Sequence, residues 1–317
     1  MRTQKKTERA RVTKEGKETD KVIKQEKEPF VYGYKALDEN LCASMGDGMQ
    51  FEEGKTYDVK GELKFCENGF HFCENLEDTL DYYGISKGLR FIKIKAYGEV
   101  LSDNRGSKLL CRKIKVVKEL SGEDILRALG LDKDTSTEVE ILEKTPEIRE
   151  LLSLKGFFLN TLVNDEDWYV RRAVAEQGHG LDVLINDKDW AVRRVVAEQG
   201  YELNILVNDE SYYVRRAVAE QGHGLNILIN DENYYVRAAV AEQGFGLDVL
   251  VNDESWYVRC KVVRQGHGLD ILVNDEDWRV RAAVAEQKYG LDVLINDENW
   301  NVRRAARQRQ ANANERK

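Results

Sequence analysis

A 22-residue repeat in the second half of the chain limits the possible fold more than any other feature. Leu159-Asn160-Thr161-Leu162-Val163-Asn164-Asp165 returns as Leu181-Asp182-Val183-Leu184-Ile185-Asn186-Asp187. It returns again from Leu203, Leu225, Leu247, Leu269 and Leu291, seven copies with no insertion. A fixed period of this size marks a solenoid, in which each unit buries its apolar face only against its neighbours. Residues 159–310 are therefore expected to form an elongated all-α array with a large regular surface.

Each copy reads as two helices. The first, Leu159 to Val163, has leucines three apart and spans about one and a half turns. The second, Trp168 to Gln177, is preceded by Asp167, Asp189, Ser211, Asn233, Ser255, Asp277 or Asn299, all residue types that cap a helix N-terminus. Gly178 stands where a helix is closed by a left-handed residue. Val170, Ala173, Val174 and Gln177 share one face, and the small alanines let neighbouring helices approach.

Comparing the copies separates scaffold from specificity. Asp165, Val170, Arg171 and a large aromatic at 168 recur in every copy, with Gly or Lys at 178 in the first six, as expected of stacking positions. Asp165 and Arg171 are predicted to form an ionic ladder between adjacent units, because a merely solvated arginine would not recur seven times without lysine. Position 169 varies (Tyr169, Ala191, Tyr213, Tyr235, Tyr257, Arg279, Asn301), as does position 172 (Arg172, Arg194, Arg216, Ala238, Cys260, Ala282, Arg304). These two positions are expected on one stripe away from the core. A Tyr/Arg stripe on a rigid surface suits protein recognition. The expected partner-binding residues are Tyr169, Arg172, Arg194, Tyr213, Arg216, Tyr235, Tyr257 and Arg279. Position 179 alternates His179, Tyr201, His223, Phe245, His267 and Tyr289. Its histidines lie two units apart, too far to share one ion.

The Asp-x-x-x-x-Val-Arg-x-Ala-Val-Ala pattern of Asp165 to Ala175 resembles HEAT repeats, but the 22-residue repeat is too short for one. It is more similar to the leucine-rich repeat variant class. That resemblance implies a right-handed superhelix of alternating α and 3-10 helices, and no particular activity.

Charge and cysteine content bound the setting. Residues 1–28 hold ten Lys/Arg and six Asp/Glu and almost nothing to bury, so they are read as a disordered basic tail. A second such tail is expected at 311–317. Leu159 to Asn301 carry 26 acidic and 14 basic residues, a net charge of −12. Phosphate binding needs clustered Lys/Arg, so nucleic acid is not the expected partner of the repeats. The five cysteines, Cys42, Cys66, Cys73, Cys111 and Cys260, are an odd number and no signal peptide is evident, which points to the reducing cytoplasm. No apolar run is long enough for a transmembrane helix.

A small α+β domain is expected at 29–120. Phe30–Leu37, Lys55–Val59, Gly69–Cys73, Arg90–Tyr97 and Leu109–Val117 read as strands, with Lys64–Cys66 and Gly69–Cys73 flanking a turn at Glu67-Asn68. Asn75–Tyr83 reads as a short helix capped by Asn75. Residues 121–144 read as a helical linker, opening on a helix capped by Ser121 and ending at Gly130. Residues 145–158 align Ile148, Arg149 and Gly156 with Val170, Arg171 and Gly178, as a degenerate half-repeat capping the solenoid should.

Gly69-Phe70-His71-Phe72-Cys73, with Tyr34-Lys35-Ala36 before it and Tyr82-Tyr83 after it, resembles a small domain of unknown function found in phage and prophage proteins, which implies a mobile-element origin. A weaker likeness is to the ADP-ribosyltransferase fold. It places Lys35 on the first motif strand, His71 at a Tyr position, and Lys113 near where a catalytic Glu would stand, with Glu99 the nearest acid. Lysine cannot orient a ribose hydroxyl, so Lys35, His71 and Lys113 are expected at most to form a basic ligand pocket, with no catalytic set. Cys66, His71 and Cys73 lack the Cys-x₂₋₄-Cys knuckle of structural zinc, and the iron–sulfur spacing of some repeat-variant proteins is absent. No metal or cofactor is expected; buried thiols are. The combined expectation is a non-enzymatic protein-binding scaffold that binds, and can thereby inhibit, a host protein such as a defence component. The alternative is a nucleotide- or nucleic-acid-acting enzyme using the repeats as a targeting arm.

Overall fold

The structure, a computed structural model, describes residues 28–42 and 49–314. The two expected tails therefore lie outside it except for Glu28 and residues 311–314. The chain divides into two compact units, one through Asp132 and one from Lys133.

The first unit is built on an antiparallel sheet of β1 (Phe30–Leu37), β2 (Thr56–Asp58), β3 (Phe70–Phe72), β4 (Arg90–Ser102) and β5 (Leu109–Glu119). The order is β1-β4-β5-β2, with β3 also paired to β5. The sheet curls back on itself: Tyr34 of β1 and Cys73, just past β3, exchange both backbone bonds at 2.8 and 3.0 Å. Gly33 permits this closure, since a Cβ there would lie 2.3 Å from the Phe72 ring. Inside pack Leu37, Phe51, Phe72, Ile92, Ile94 and Ile114. All but Phe51, which precedes β2, come from strands rich in β-branched and aromatic residues, which fit a pleated, half-buried surface.

The helix expected over Asn75–Tyr83 is only a 3-10 turn, Glu77–Thr79. Asn75 does not cap it; its amide donates to the Asp78 carboxylate at 3.0 Å. A segment this short gains too few bonds to offset helix nucleation, and the buried Thr79 hydroxyl takes the Leu76 carbonyl at 2.6 Å. Helix α1 (Gly122–Ala128) does form, with a capping box between Ser121 and Asp124. It belongs to the first unit, whereas α2 (Glu138–Leu142) belongs to the second.

The second unit is the helical repeat. Helix α3 (Pro146–Leu154) takes the second-helix place of the capping half-repeat. Seven pairs follow, each a four-residue helix such as Leu159–Leu162 and a longer one such as Trp168–Glu176. Val170, Val174 and Leu162 and their copies are buried and make the continuous core. Asp167, Asp189, Asn233, Asp277 and Asn299 each accept the amide two residues on, at 2.8–2.9 Å. Ser211 and Ser255 hold the same backbone conformation but make no side-chain cap bond. The last helix runs from Trp300 to Asn314, into the stretch expected to be tail. Its copy of Gly178 is Gln310, which lies within the helix, whereas the other non-glycine at this position, Lys288, is left-handed and ends its helix.

The predicted ionic ladder is present. Arg149 donates from Nε and Nη2 to Asp165 at 2.7 and 3.0 Å. The same fork joins Arg171 to Asp187, Arg193 to Asp209, Arg215 to Asp231, Arg237 to Asp253, Arg259 to Asp275 and Arg281 to Asp297. Each arginine thus reaches into the following repeat, and from Arg171 onward its Nη1 holds the Asp carbonyl of its own repeat. The position-177 glutamines add a second tie, as in Gln243 Nε2 to the Glu220 carbonyl at 3.1 Å. His179, His223 and His267 add a third, reaching Asn160, Asn204 and Asp248 at 2.9 Å. Among the described residues no helix is long and apolar enough to cross a membrane.

Candidate functional site

Positions 168 and 169 open the second helix of each repeat, and their side chains form a ladder of rings along the array. Trp190 stacks on Tyr213 at 4.3 Å and Tyr213 on Tyr212 at 4.1 Å. Tyr212 faces Tyr235 at 6.1 Å, Tyr235 lies 4.2 Å from Tyr234, and Tyr257 meets Tyr235 edge-on at 5.6 Å. The aromatics at 168, expected to be stacking positions, do meet rings of the following repeat, and they do so at the surface: Trp190, Tyr234 and Trp256 each keep 38–39 % of their surface, as does Tyr213.

Arginines sit on the rings. Arg172 lies over Trp168 and Tyr169 at 5.6 and 5.5 Å, and Arg279 over Trp256 at 4.5 Å. Arg194 lies over Trp190 at 5.9 Å and pairs with Glu198, and Arg216 pairs with Glu220. Seven of the eight expected residues make ring contacts along the array, with Tyr235 and Tyr257 half-buried, and the eighth, Arg216, is seen paired with Glu220. The stripe is not uniformly outward, however. Ala191, Ala238 and Cys260 are buried and Ala282 is half-buried, so the small residues at 169 and 172 are largely covered rather than displayed. Repeat five departs furthest from the others: Lys261 replaces the usual Ala or Val, is buried, and bonds to Glu242.

Sequence reasoning missed a second apolar row. Val183, Ile205, Ile227, Val249, Ile271 and Val293 keep 48–61 % of their surface, one per repeat on the short helices. The signal was a Val or Ile between the two leucines in six of seven copies, with Thr161 in the first.

The first unit holds a cavity of about 340 Å³ beside the sheet core. It brings together two of the three predicted pocket residues. Lys35 is buried, its Nζ donating to the His71 carbonyl and lying 5.5 Å from the Phe51 ring centre. His71 is half-buried and accepts the Cys66 amide on Nε2 at 3.2 Å. Lys113 is elsewhere: it pairs with Glu28 at 2.7 Å and lies over the Tyr97 ring. The register explains this, since β5 sets Lys113 opposite Tyr97 and Asp58, two residues past Cys111, the last residue that faces β3. In its place Lys108, immediately before β5, lines the cavity with its Nζ 4.8 Å from the Tyr82 ring centre.

Burial governs the electrostatics. It pulls the Lys35 ammonium down to about 8. Burial, then Lys108 and Lys35, pulls His71 down to about 4. It pushes the Cys73 and Cys111 thiols up to about 12, so neither is a ready thiolate for metal or nucleophilic work. Glu99, the acid nearest the transferase position, is exposed at the β4 bulge and does not line the cavity.

No curated protein matches the chain. Residues 31–128, which carry the curled sheet, the cavity and α1, match the model of a domain of unknown function, DUF7666.

Proposed function

We propose that the chain is a non-enzymatic protein-binding scaffold whose helical repeats hold a host protein in the cytoplasm and inhibit it by occupying its surface. The observation that carries this reading is the half-exposed ladder of Trp and Tyr rings overlaid by arginines. Tyr, Trp and Arg dominate the energetics of protein interfaces, and rings held by their neighbours lose little freedom on binding. The acidic repeats favour a partner with a basic face, by complementarity of charge. The leucine-rich repeat variant resemblance supports a scaffold role, and the likeness of the first unit to phage and prophage domains supports a mobile-element origin. An ADP-ribosyltransferase would need a carboxylate beside Lys35 and His71. The cavity lining offers Glu67, which lies at the surface beside Lys64.

The test is affinity capture from host lysate with the intact chain and with Tyr213→Ala/Tyr235→Ala. Truncating an interface hot spot costs about 2 kcal/mol or more. The partner should be lost from the double variant while its helical circular dichroism is unchanged. A partner kept by that variant but lost on Lys35→Met would move the interface to the first unit.

A further inference from the structure

Lys35 is 5 % exposed, and its ammonium donates to a neutral acceptor, the His71 carbonyl. Among the described residues no carboxylate pairs with it. Isolated buried charges are costly, and buried cations ordinarily have an anion against them. The surroundings add to the deficit. Lys108 brings a second cation to the same cavity, and the Cys73 and Cys111 thiols stay neutral because burial holds them protonated. Among the described residues Glu67 is the one carboxylate in the lining; its side chain is 69 % exposed and lies 3.4 Å from Lys64. With Nε2 of His71 accepting the Cys66 amide, the neutral imidazole carries its proton on Nδ1, a further donor. The charged groups of the lining are thus two cations and one solvent-exposed carboxylate, and rings flank both cations: Phe51 at Lys35 and Tyr82 at Lys108.

We propose that this cavity binds a small aromatic molecule bearing an oxyanion, with Lys35 and Lys108 as counter-ions and Phe51 and Tyr82 flanking its ring. A volume of about 340 Å³ suits a compound of one or two rings. Phosphate and carboxylate share the required charge. Phosphate offers more acceptor oxygens than carboxylate to two ammonium groups.

Calorimetric titration of the full chain with phenyl phosphate, benzoate, inorganic phosphate and benzyl alcohol tests this. At least one aryl anion should bind tenfold or more tighter than inorganic phosphate or benzyl alcohol. The tighter of phenyl phosphate and benzoate names the anion. Lys35→Met and, should that variant fold poorly, Lys108→Met should each weaken binding at least tenfold, while Lys113→Met leaves it unchanged. Absence of binding by both aryl anions at millimolar concentration, or equal binding by folded Lys35→Met and Lys108→Met, overturns the proposal. The outcome is independent of whether the repeats bind a protein.

Discussion

The guanidinium of Arg215 grips the carboxylate of Asp231 in the following repeat through two parallel bonds, at 2.6 and 3.0 Å. Both side chains are nearly buried, and Asp231 also accepts the Asn233 amide at 2.9 Å. Removing the arginine would leave the carboxylate in place with half its partners gone. Breaking a buried pair this way costs about 3–5 kcal/mol. Arg216, one residue on, pairs with Glu220 on the exposed side of its own helix, where such pairs contribute about 0–1 kcal/mol. Urea melts should therefore show a large loss for Arg215→Ala and a small one for Arg216→Ala. Equal, small shifts would refute the ladder as a source of stability.

Glu202 stands where most repeats have glycine. The residue before each short helix is left-handed: Gly180, Gly224, Gly246, Gly268 and Gly290 have φ of 59–63°, and Glu202 has φ of 45°. A non-glycine residue held there costs roughly 1–3 kcal/mol, partly offset by its smaller unfolded-state entropy. Glu202→Gly should raise the melting midpoint, by about 1 kcal/mol in stability. Gly224→Ala should lower it more, since its Cβ would fall 2.5 Å from Val207. A fall in stability for Glu202→Gly would show that its contacts outweigh the strain.

The repeat was legible because its evidence is internal. Seven copies act as their own comparison, so Asp165 and Arg171 could be paired before any contact was seen, and the half-repeat at Arg149 could be aligned by the same rule. What periodicity does not encode is the direction of a side chain at a given helix position. The rings at 168 could be read as stacking positions but not as surface ones, while the exposed row from Val183 to Val293 hid among buried leucines. The first unit has no repeats to compare. Its strands could be found by alternation, but pocket membership depends on register and curl. Lys35 and His71 met because Cys73 bridges back to Tyr34, a closure no local pattern announces. Lys113 was misplaced, and Lys108 overlooked, by a few residues along a single stretch of chain.

His71 should stay neutral well into the acid range. Burial and the cations Lys108 and Lys35 set its folded value at about 4, below the ordinary 6.5. The unfolded chain therefore binds more protons between those values, and stability contributed by the neutral ring is lost as pH falls from 6.5 towards 4. Proton NMR of the His71 Cε1 resonance should give a midpoint near 4. A midpoint near 6.5 would mean that the ring is solvated and outside the cavity.

Lys35 should titrate near 8, well below an ordinary lysine, with burial the main cause and Lys108 a lesser one. Because the folded value lies below the unfolded 10.5, the unfolded chain holds the extra proton between the two. Stability of the first unit must then rise with pH across that window, by up to about 3 kcal/mol in all, since each pH unit crossed contributes at most about 1.4 kcal/mol. Lys35→Met removes the titration, so the variant should lack this rise and be the more stable of the two at about pH 7, where the native chain carries an uncompensated buried charge. Carbon-13 NMR at the Lys35 Cε gives the direct reading. A midpoint near 8 in the bare protein, moving upward when an aryl anion is added, fits an ammonium waiting for its counter-ion. A midpoint above roughly 10, the ordinary lysine range, would mean that the charge is already compensated in the bare protein, and the cavity would then have no electrostatic reason to take an anion.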